Sequence, residues 1–285
     1  MHGIIVRTLS HELRLRSRDP NVLSALMAFR TEPLLPGREL KTIDLDIEPV
    51  GRFFRIEPPG FQATEGSLEA IAHALFRLKG ALWRRHIKDL PVVHAAVAII
   101  GGRRIVFVGD KGAGKTTLML RLVQEGHAVH GDESLILEDE GPISYPRCLH
   151  VKETSLDILP GLSNRIRSMP SVTDWFGNVA YICPPSFLGG EWTITPGAID
   201  DLVFLEPNFG GSSILSSLSR EDSFARLIEF SFLPETGRAR AAARLRNLAV
   251  EGHCWRLQTG NLDEAVARLR RLYKSAYKYM SQSFG

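Results

Sequence analysis

Apolar and polar positions alternate with period two in four stretches near the amino terminus, Ile4 to Leu9, Leu13 to Arg16, Ile43 to Ile47 and Phe53 to Ile56. Pro and Gly fall between them, which predicts several short strands. A short helix is expected around Asn21 to Phe29. From Ser67 the period lengthens: Leu68, Ile71, Ala72, Leu75, Phe76, Leu78 and Leu82 recur at helical spacing, so an amphipathic helix capped by Ser67 should run to about Arg85. Val92 to Ile100 is almost wholly apolar, and Gly101-Gly102 separates it from a second apolar run, Ile105 to Val108. Two such runs around Gly-Gly read as a hairpin. Leu118, Leu120, Leu122 and Val123 predict a helix over Thr117 to Glu125 that ends at Gly126, and Ser134 to Leu137 reads as a following strand.

Beyond residue 160 the pattern changes. Residues 161–198, including Met169 to Gly177 and Cys183 to Gly190, carry Pro, Gly and aromatics without a clear period; a long irregular stretch of this kind is expected to be a lid or an acceptor-binding loop. Ile199 to Glu206 is an apolar strand that ends on a carboxylate. A helix capped by Ser219 should run to Phe230, and Arg238 to Leu248 and Leu262 to Tyr277 are amphipathic helices with a strand from Cys254 between them. The pattern divides the chain into a β-rich amino-terminal region with its amphipathic helix, residues 1–88, and an α/β domain, residues 89–285.

Composition narrows the classes. With 285 residues, 44% of them hydrophobic, the chain can bury a large core in one or two domains. A net charge of +3 does not argue for nucleic acid or an anionic membrane. The basic groups Lys79, Arg84, Arg85 and Lys88, and Arg268, Arg270, Arg271, Lys274 and Lys278 with Tyr273, Tyr277 and Tyr279, read as solvated helix faces. Cys148, Cys183 and Cys254 lack a Cys-x2-Cys pairing, which implies neither a disulfide framework nor a zinc site and fits a reducing compartment. No segment has signal-peptide or bilayer-spanning character. The expectation is a soluble cytoplasmic protein with no nucleic-acid and no membrane partner.

The chemistry concentrates in Gly109-Asp-Lys-Gly-Ala-Gly-Lys-Thr116, whose Gly-x4-Gly-Lys-Thr spacing is that of a phosphate-cradling loop between strand and helix. Gly112 and Gly114 permit turns closed to other residues and bring backbone N–H groups towards a polyphosphate. Asp110, Lys111 and Ala113 complete the loop. Lys115 adds a charge for the β- and γ-phosphates of ATP, the Thr116 hydroxyl can ligate Mg2+, and Thr117 opens the helix whose positive end faces the anion. After that helix, Asp132 and Glu133 precede the next strand. A chain crossing back to a parallel strand would leave them at the carboxyl edge of the sheet, where Asp132 can accept a proton from an attacking hydroxyl or hold Mg2+. Alternatively both are turn residues at a strand end. Glu206 has two readings: beside the loop it would position a hydrolytic water, as in an ATPase or nucleotide-dependent binding module, and at the far edge it would be a strand terminus.

Taken together, Val93-His94-Ala95-Ala96, the Gly-Gly hairpin, the Gly109–Thr116 loop and Gly126-His127 followed by Asp132-Glu133 resemble the catalytic domain of HPr serine kinase/phosphorylase. The likeness spans about residues 90 to 160 and extends to the HPr-kinase-like proteins of bacterial peptide-modification gene clusters, whose Pro-Arg-Pro-Ile-Ser-Leu-Lys stretch is similar to Tyr145-Pro-Arg-Cys-Leu-His-Val-Lys152. The resemblance implies a P-loop kinase domain of the HPr-kinase type that moves the γ-phosphate of ATP to a serine hydroxyl, with Asp132 as base and Thr116, Asp132 and Glu133 around Mg2+. It places His94 close to the site, where a core histidine is the other reading. Lys152 and Arg147 would neutralise transition-state charge or lie on the surface, and Glu153 is a further metal candidate. Glu133 stands where the family has Asp, and the family's Leu-Glu-Ile-Arg-Gly signature has no copy, so neither HPr as acceptor nor phosphorolysis is expected. The implied acceptor is a peptide or protein serine, including one in a ribosomally made precursor peptide, or a small-molecule alcohol. The family also implies a homo-oligomer.

Overall fold

The computed structural model of the chain describes residues 2–173, 177–189 and 191–282. It is a mixed α/β structure with several sheets. The amino-terminal alternation produces a five-stranded sheet in sequence order, His2–Arg7, His11–Ser17, Lys41–Val50, Phe53–Ile56 and Thr64–Gly66. Its second and third strands pair in parallel, Leu13 opposite Ile43 and Leu15 opposite Leu45. The connection between them includes the short helix Pro20–Ala25, which Asp19 caps by accepting from the Asn21 amide at 2.9 Å. The amphipathic helix Leu68–His86 lies on this sheet. Ser67 caps it, and its stripe of Ile71, Leu75, Leu78 and Leu82 meets Leu13, Leu15, Leu45, Ile47 and Ile56. Each such side chain contributes roughly 1.5–3 kcal/mol by leaving water.

A six-stranded sheet forms the centre of the remainder, in the order Ile214–Ser217, His253–Thr259, Asp201–Pro207, Arg103–Val108, Ala95–Ile100 and Ala128–Gly131. The Gly-Gly hairpin is present: Ala95–Ile100 and Arg103–Val108 are antiparallel, joined by Gly101 and Gly102 at φ 58° and 77°. Both central positions of such a two-residue turn need positive φ, which explains the glycines. Period two then sorts the sheet. Ile105, Phe107, Val203 and Leu205 face the helix Lys115–Gln124, while Val106, Val108, Leu202 and Phe204 enter a core with Leu227 and Leu245 from the helices Arg220–Glu229 and Arg238–Glu251.

The apolar run from Val92 is not one strand. Val92–Val93 joins a separate four-stranded sheet with Gly141–Ser144, Leu135–Glu138 and Ser231–Phe232, and His94 marks the break before Ala95 enters the central sheet. The strand Ala128–Gly131 pairs antiparallel with Ala95–Ile100 rather than directly with Arg103–Val108. It therefore runs in the same direction as the loop strand, one strand removed.

The stretch expected to be irregular is instead largely ordered. Pro160 opens the helix Pro160–Arg167, which buries Leu162 and Ile166, and Ser171–Thr173 and Val179–Cys183 form a three-stranded sheet with Leu149–Lys152. The strands are short, and Val179–Cys183 also pairs with Leu149–Lys152, about thirty residues earlier in the chain, so no local period marks them. Residues 174–176 and 190 of that stretch lie outside the described residues, as do the side chains of Lys274, Tyr277, Lys278 and Tyr279. Among the described residues no helix is long and apolar enough to cross a membrane.

The amino-terminal region is joined to the rest through a common core. Leu9 is buried together with Val92, Ile136, Ile143, Cys148, Ile182, Trp192 and Ile194, with Trp83, Ile87 and Tyr145 packed at its margin. The Trp83 and Tyr145 rings meet edge-on with centroids 4.3 Å apart. Glu138, at a strand end, accepts hydrogen bonds from Arg38 and from His86 Nε2, the latter at 2.7 Å. Leu75→Ala, which empties a fully enclosed position, should lower stability by roughly 2–5 kcal/mol, read as a reduced urea midpoint.

Candidate active site

The loop Gly109–Thr116 leaves the carboxyl end of Arg103–Val108 and enters the helix Lys115–Gln124. Gly112 and Gly114 have φ 90° and 92°, which an L side chain rarely adopts. Gly109 is constrained differently. A Cβ there would lie 3.1 Å from both the Leu205 carbonyl oxygen and the Ala113 Cβ, so the loop starts by close packing on the neighbouring strand. Thr259, at the end of the next strand, donates to the Glu206 carbonyl at 3.2 Å and lies 3.4 Å from that of Ala113. Lys115 is buried, and its ammonium donates to the carbonyls of Gly109 and Asp110 at 2.6 and 3.0 Å. Desolvation lowers its pKa against the pull of Asp132 and Glu133. The Asp110 carboxylate turns inward on the loop and accepts from the Lys111 amide at 2.7 Å.

Because Ala128–Gly131 runs in the loop strand's direction, Asp132 emerges at the same sheet edge. Its carboxylate accepts the Thr116 hydroxyl at 2.6 Å. Asp132 is buried, and desolvation pushes its pKa up to about 6, opposed by the Thr116 hydrogen bond and by Arg147. Glu133 turns elsewhere, into an ion pair with Arg147 at 2.9 Å, while its backbone carbonyl lies 3.0 Å from His94 Nδ1. A carbonyl only accepts, so His94 carries a proton on Nδ1 and leaves Nε2 as the acceptor. Burial, followed by the charge of Lys115, holds the pKa of His94 below its usual value. His94 is thus half-buried at the junction of two sheets and within the field of the loop lysine.

Arg147 bridges outward: besides Glu133 it donates to His150 Nδ1 at 2.9 Å. Lys152 is exposed at the cap position of the helix Glu153–Ile158. That helix is pinned to the loop helix by Ser155, whose hydroxyl receives that of Thr117 at 2.9 Å. Glu153 is engaged by Arg167 at 2.8 Å and by the Tyr181 hydroxyl at 2.7 Å, so it faces its own sheet rather than Asp132. Glu206 lies on the strand directly paired with the loop strand, where Phe204 stands opposite Val108. Its position is therefore beside the loop, not at the far edge. Its carboxylate shares the parity of Leu202 and Phe204, opposite the loop helix, and is held by Arg226.

These residues suit a magnesium-bound polyphosphate. The Thr116–Asp132 hydrogen bond places a hydroxyl and a carboxylate, both hard oxygen donors, at a helix amino terminus fronted by Gly112 and Gly114. Among the described residues no group of three or more His, Cys, Asp or Glu side chains could hold a metal ion. A site that draws only one or two ligands from the protein and the rest from phosphate and water is the one Mg2+ favours.

Three residues with structural roles here, Ser155, Thr259 and Lys79, are indicated by no local motif, and Tyr145 only as the start of the Tyr145–Lys152 stretch. Lys79 was read as part of a solvated face; it is partly buried and within the electrostatic field of Arg147, His150 and Cys148. Its helix packs on the segment after the acidic pair through Trp83 and Tyr145, a contact between distant stretches of chain that no spacing rule announces.

No family model matches the chain, and no curated protein matches it. Among solved structures, the HPr(Ser) kinase/phosphatase from Coxiella burnetii is similar over 56% of this chain and 96% of that one, at 14% identity and a TM-score of 0.27. Both values lie below those from which a shared fold or activity follows.

The close approach at Gly109 gives a direct check on the loop. Gly109→Ala places a methyl against backbone of the adjacent strand; if the loop holds a nucleotide, calorimetry should show affinity for ATP reduced at least about ten-fold, equivalent to about 1.4 kcal/mol.

Proposed function

We propose that the protein is an ATP-dependent kinase that transfers the γ-phosphate to a hydroxyl, and that the hydroxyl belongs to a serine of a peptide or protein. The observation that carries this reading is the 2.6 Å hydrogen bond from Thr116 to the buried Asp132 carboxylate, which joins the loop to an acidic group at one point of the sheet edge. The sequence resemblance to HPr serine kinases points the same way.

In this reading the amides of Gly112 to Thr116 face the phosphates, and Lys115 exchanges its two loop carbonyls for the β- and γ-phosphate oxygens. Thr116 would hold Mg2+, which would supply charge neutralisation across the phosphates when bound, with Asp132 reaching the metal through water. Asp132, whose carboxylate is held at the loop by the Thr116 hydroxyl, takes the proton of the attacking hydroxyl. Glu133 serves indirectly: its carboxylate fixes Arg147 beside Asp132, and its backbone fixes the His94 ring. Positioning and charge neutralisation by these groups supply most of the rate enhancement. Hydrolysis driven by Glu206 is disfavoured by the salt bridge to Arg226, on the sheet face away from the loop helix.

Two substitutions test the assignment with labelled ATP and serine-containing acceptors from the cognate cell extract. Lys115→Ala should abolish tight Mg-ATP binding, and unchanged affinity would remove the loop from the reading. Asp132→Asn should leave Mg-ATP affinity within a few-fold and lower phosphate transfer by at least about 100-fold. Near-normal transfer would leave Asp132 without the base role, and release of free phosphate alone, with no labelled acceptor, would overturn the kinase reading.

A further inference from the structure

The amino-terminal helix Leu68–His86 reaches the acidic edge of the candidate site through a short chain of contacts. Trp83 packs on Tyr145 with ring centroids 4.3 Å apart. The Tyr145 amide donates to the Ser134 carbonyl at 2.9 Å, and its own carbonyl lies 3.3 Å from where a Gly131 Cβ would stand, one residue before Asp132. Lys79 precedes Trp83 by one helical turn and so lies on the same face of that helix. Cys148, three residues after Tyr145, is buried and donates its thiol towards the Arg30 carbonyl at 3.4 Å, a second junction with the amino-terminal region. Lys79 thus sits where this region abuts the 145–150 segment.

The charges assembled there do not balance. Arg147 has Glu133 as its carboxylate partner, and that carboxylate stands beside Asp132. His150 is neutral, since burial and then the charges of Arg147 and Lys79 push its pKa down to about 3, and it is able to accept from Arg147. Among the described residues no carboxylate forms an ion pair with Lys79. Desolvation lowers its pKa to about 8, so at neutral pH it is still mainly an ammonium, removed from most of its water. A cation so placed is costly unless something anionic joins it. The side chain remains partly exposed, which leaves a path for such a group. In the proposed reaction the nucleotide's phosphates are met by Lys115 and the loop amides, while Arg147, whose charge acts on Asp132, stands on the 145–150 segment that Lys79 abuts.

We propose that Lys79 and Arg147, the latter oriented by His150, form a subsite for an anionic group on the acceptor, so that the amino-terminal helix takes part directly in acceptor recognition. This rests on the kinase reading above. The favoured acceptor carries a carboxylate or phosphate close to the hydroxyl that is modified. Lys79 is a specificity-determining residue in this scheme, and His150 is a positioning residue that holds the Arg147 guanidinium from the side opposite Glu133.

The test uses the full chain saturated with Mg2+ and a non-hydrolysable ATP analogue, which occupies the γ-phosphate position. Inorganic phosphate and succinate are then titrated separately by calorimetry. One or both should bind, phosphate alone indicating a phosphorylated acceptor and succinate alone a carboxylate-bearing one. Lys79→Met keeps the aliphatic stem and should weaken anion binding at least about ten-fold while leaving analogue affinity within about two-fold, the latter also reporting an intact fold. Lys79→Arg should restore most of the anion affinity. Analogue binding with no anion binding, or anion binding unchanged in Lys79→Met, would overturn the subsite and leave the kinase reading standing. Failure of the unsubstituted chain to bind the analogue would overturn both.

Discussion

A carboxylate buried at the mouth of a glycine-rich loop is the constraint around which this structure is arranged. Asp132 is almost enclosed, and removing its charge from water is costly unless donors and cations surround it. The Thr116 hydroxyl, Lys115 and Arg147 supply that surrounding field. The first two open the helix Lys115–Gln124, and Arg147 comes from the segment after the next hairpin. Arg103–Val108 and Ala128–Gly131, which deliver the loop and Asp132, run in one direction with Asp201–Pro207 and His253–Thr259, so the carboxyl ends of all four share an edge. Ligands of open α/β sheets bind at such an edge.

Inserting an antiparallel strand into that arrangement has a definite consequence. Ala95–Ile100 lies between the loop strand and Ala128–Gly131, and because it runs the opposite way its amino end is the one at the candidate site. His94, immediately before it, is delivered to the Glu133 backbone by the same geometry. A helix-connected parallel strand in that place would present its carboxyl end instead. The contact of the His94 ring with the Glu133 carbonyl therefore follows from the hairpin, whose tight Gly101-Gly102 turn fixes the register that sets Ala95 opposite Val108.

What could be read from the chain beforehand divides along the range of the interactions. The loop, its flanking strand and helix, the Gly-Gly turn and the Ser67 and Ser219 caps are local, and each was legible because one residue type satisfies one backbone demand. The need for Gly109 was legible only as a motif position; its physical reason, the approach of Leu205, belongs to another strand. Glu206 shows the limit most clearly. Its strand pairs with the loop strand, which sequence order did not reveal, yet period two turns the carboxylate to Arg226 on the opposite face. The ordering of residues 160–188 into a helix and two short strands was missed because Val179–Cys183, which pairs with Leu149–Lys152 on one side and Ser171–Thr173 on the other, is placed by pairing rather than by any amphipathic signal.

The amino-terminal region is more than an appendage to this edge. Its own core closes on the helix Leu68–His86, yet that helix also carries Trp83 onto Tyr145 and His86 onto Glu138, so one rigid element faces two cores. Leu135–Glu138 and Gly141–Ser144, which the helix buttresses, directly follow the Asp132–Glu133 turn. Displacing the helix would loosen Tyr145, whose amide is bonded to Ser134 and whose carbonyl lies against Gly131 on the other side of the acidic pair. The position of Asp132 relative to Thr116 is thus set from two directions, by the central sheet on one side and by the amino-terminal helix acting through an aromatic contact on the other.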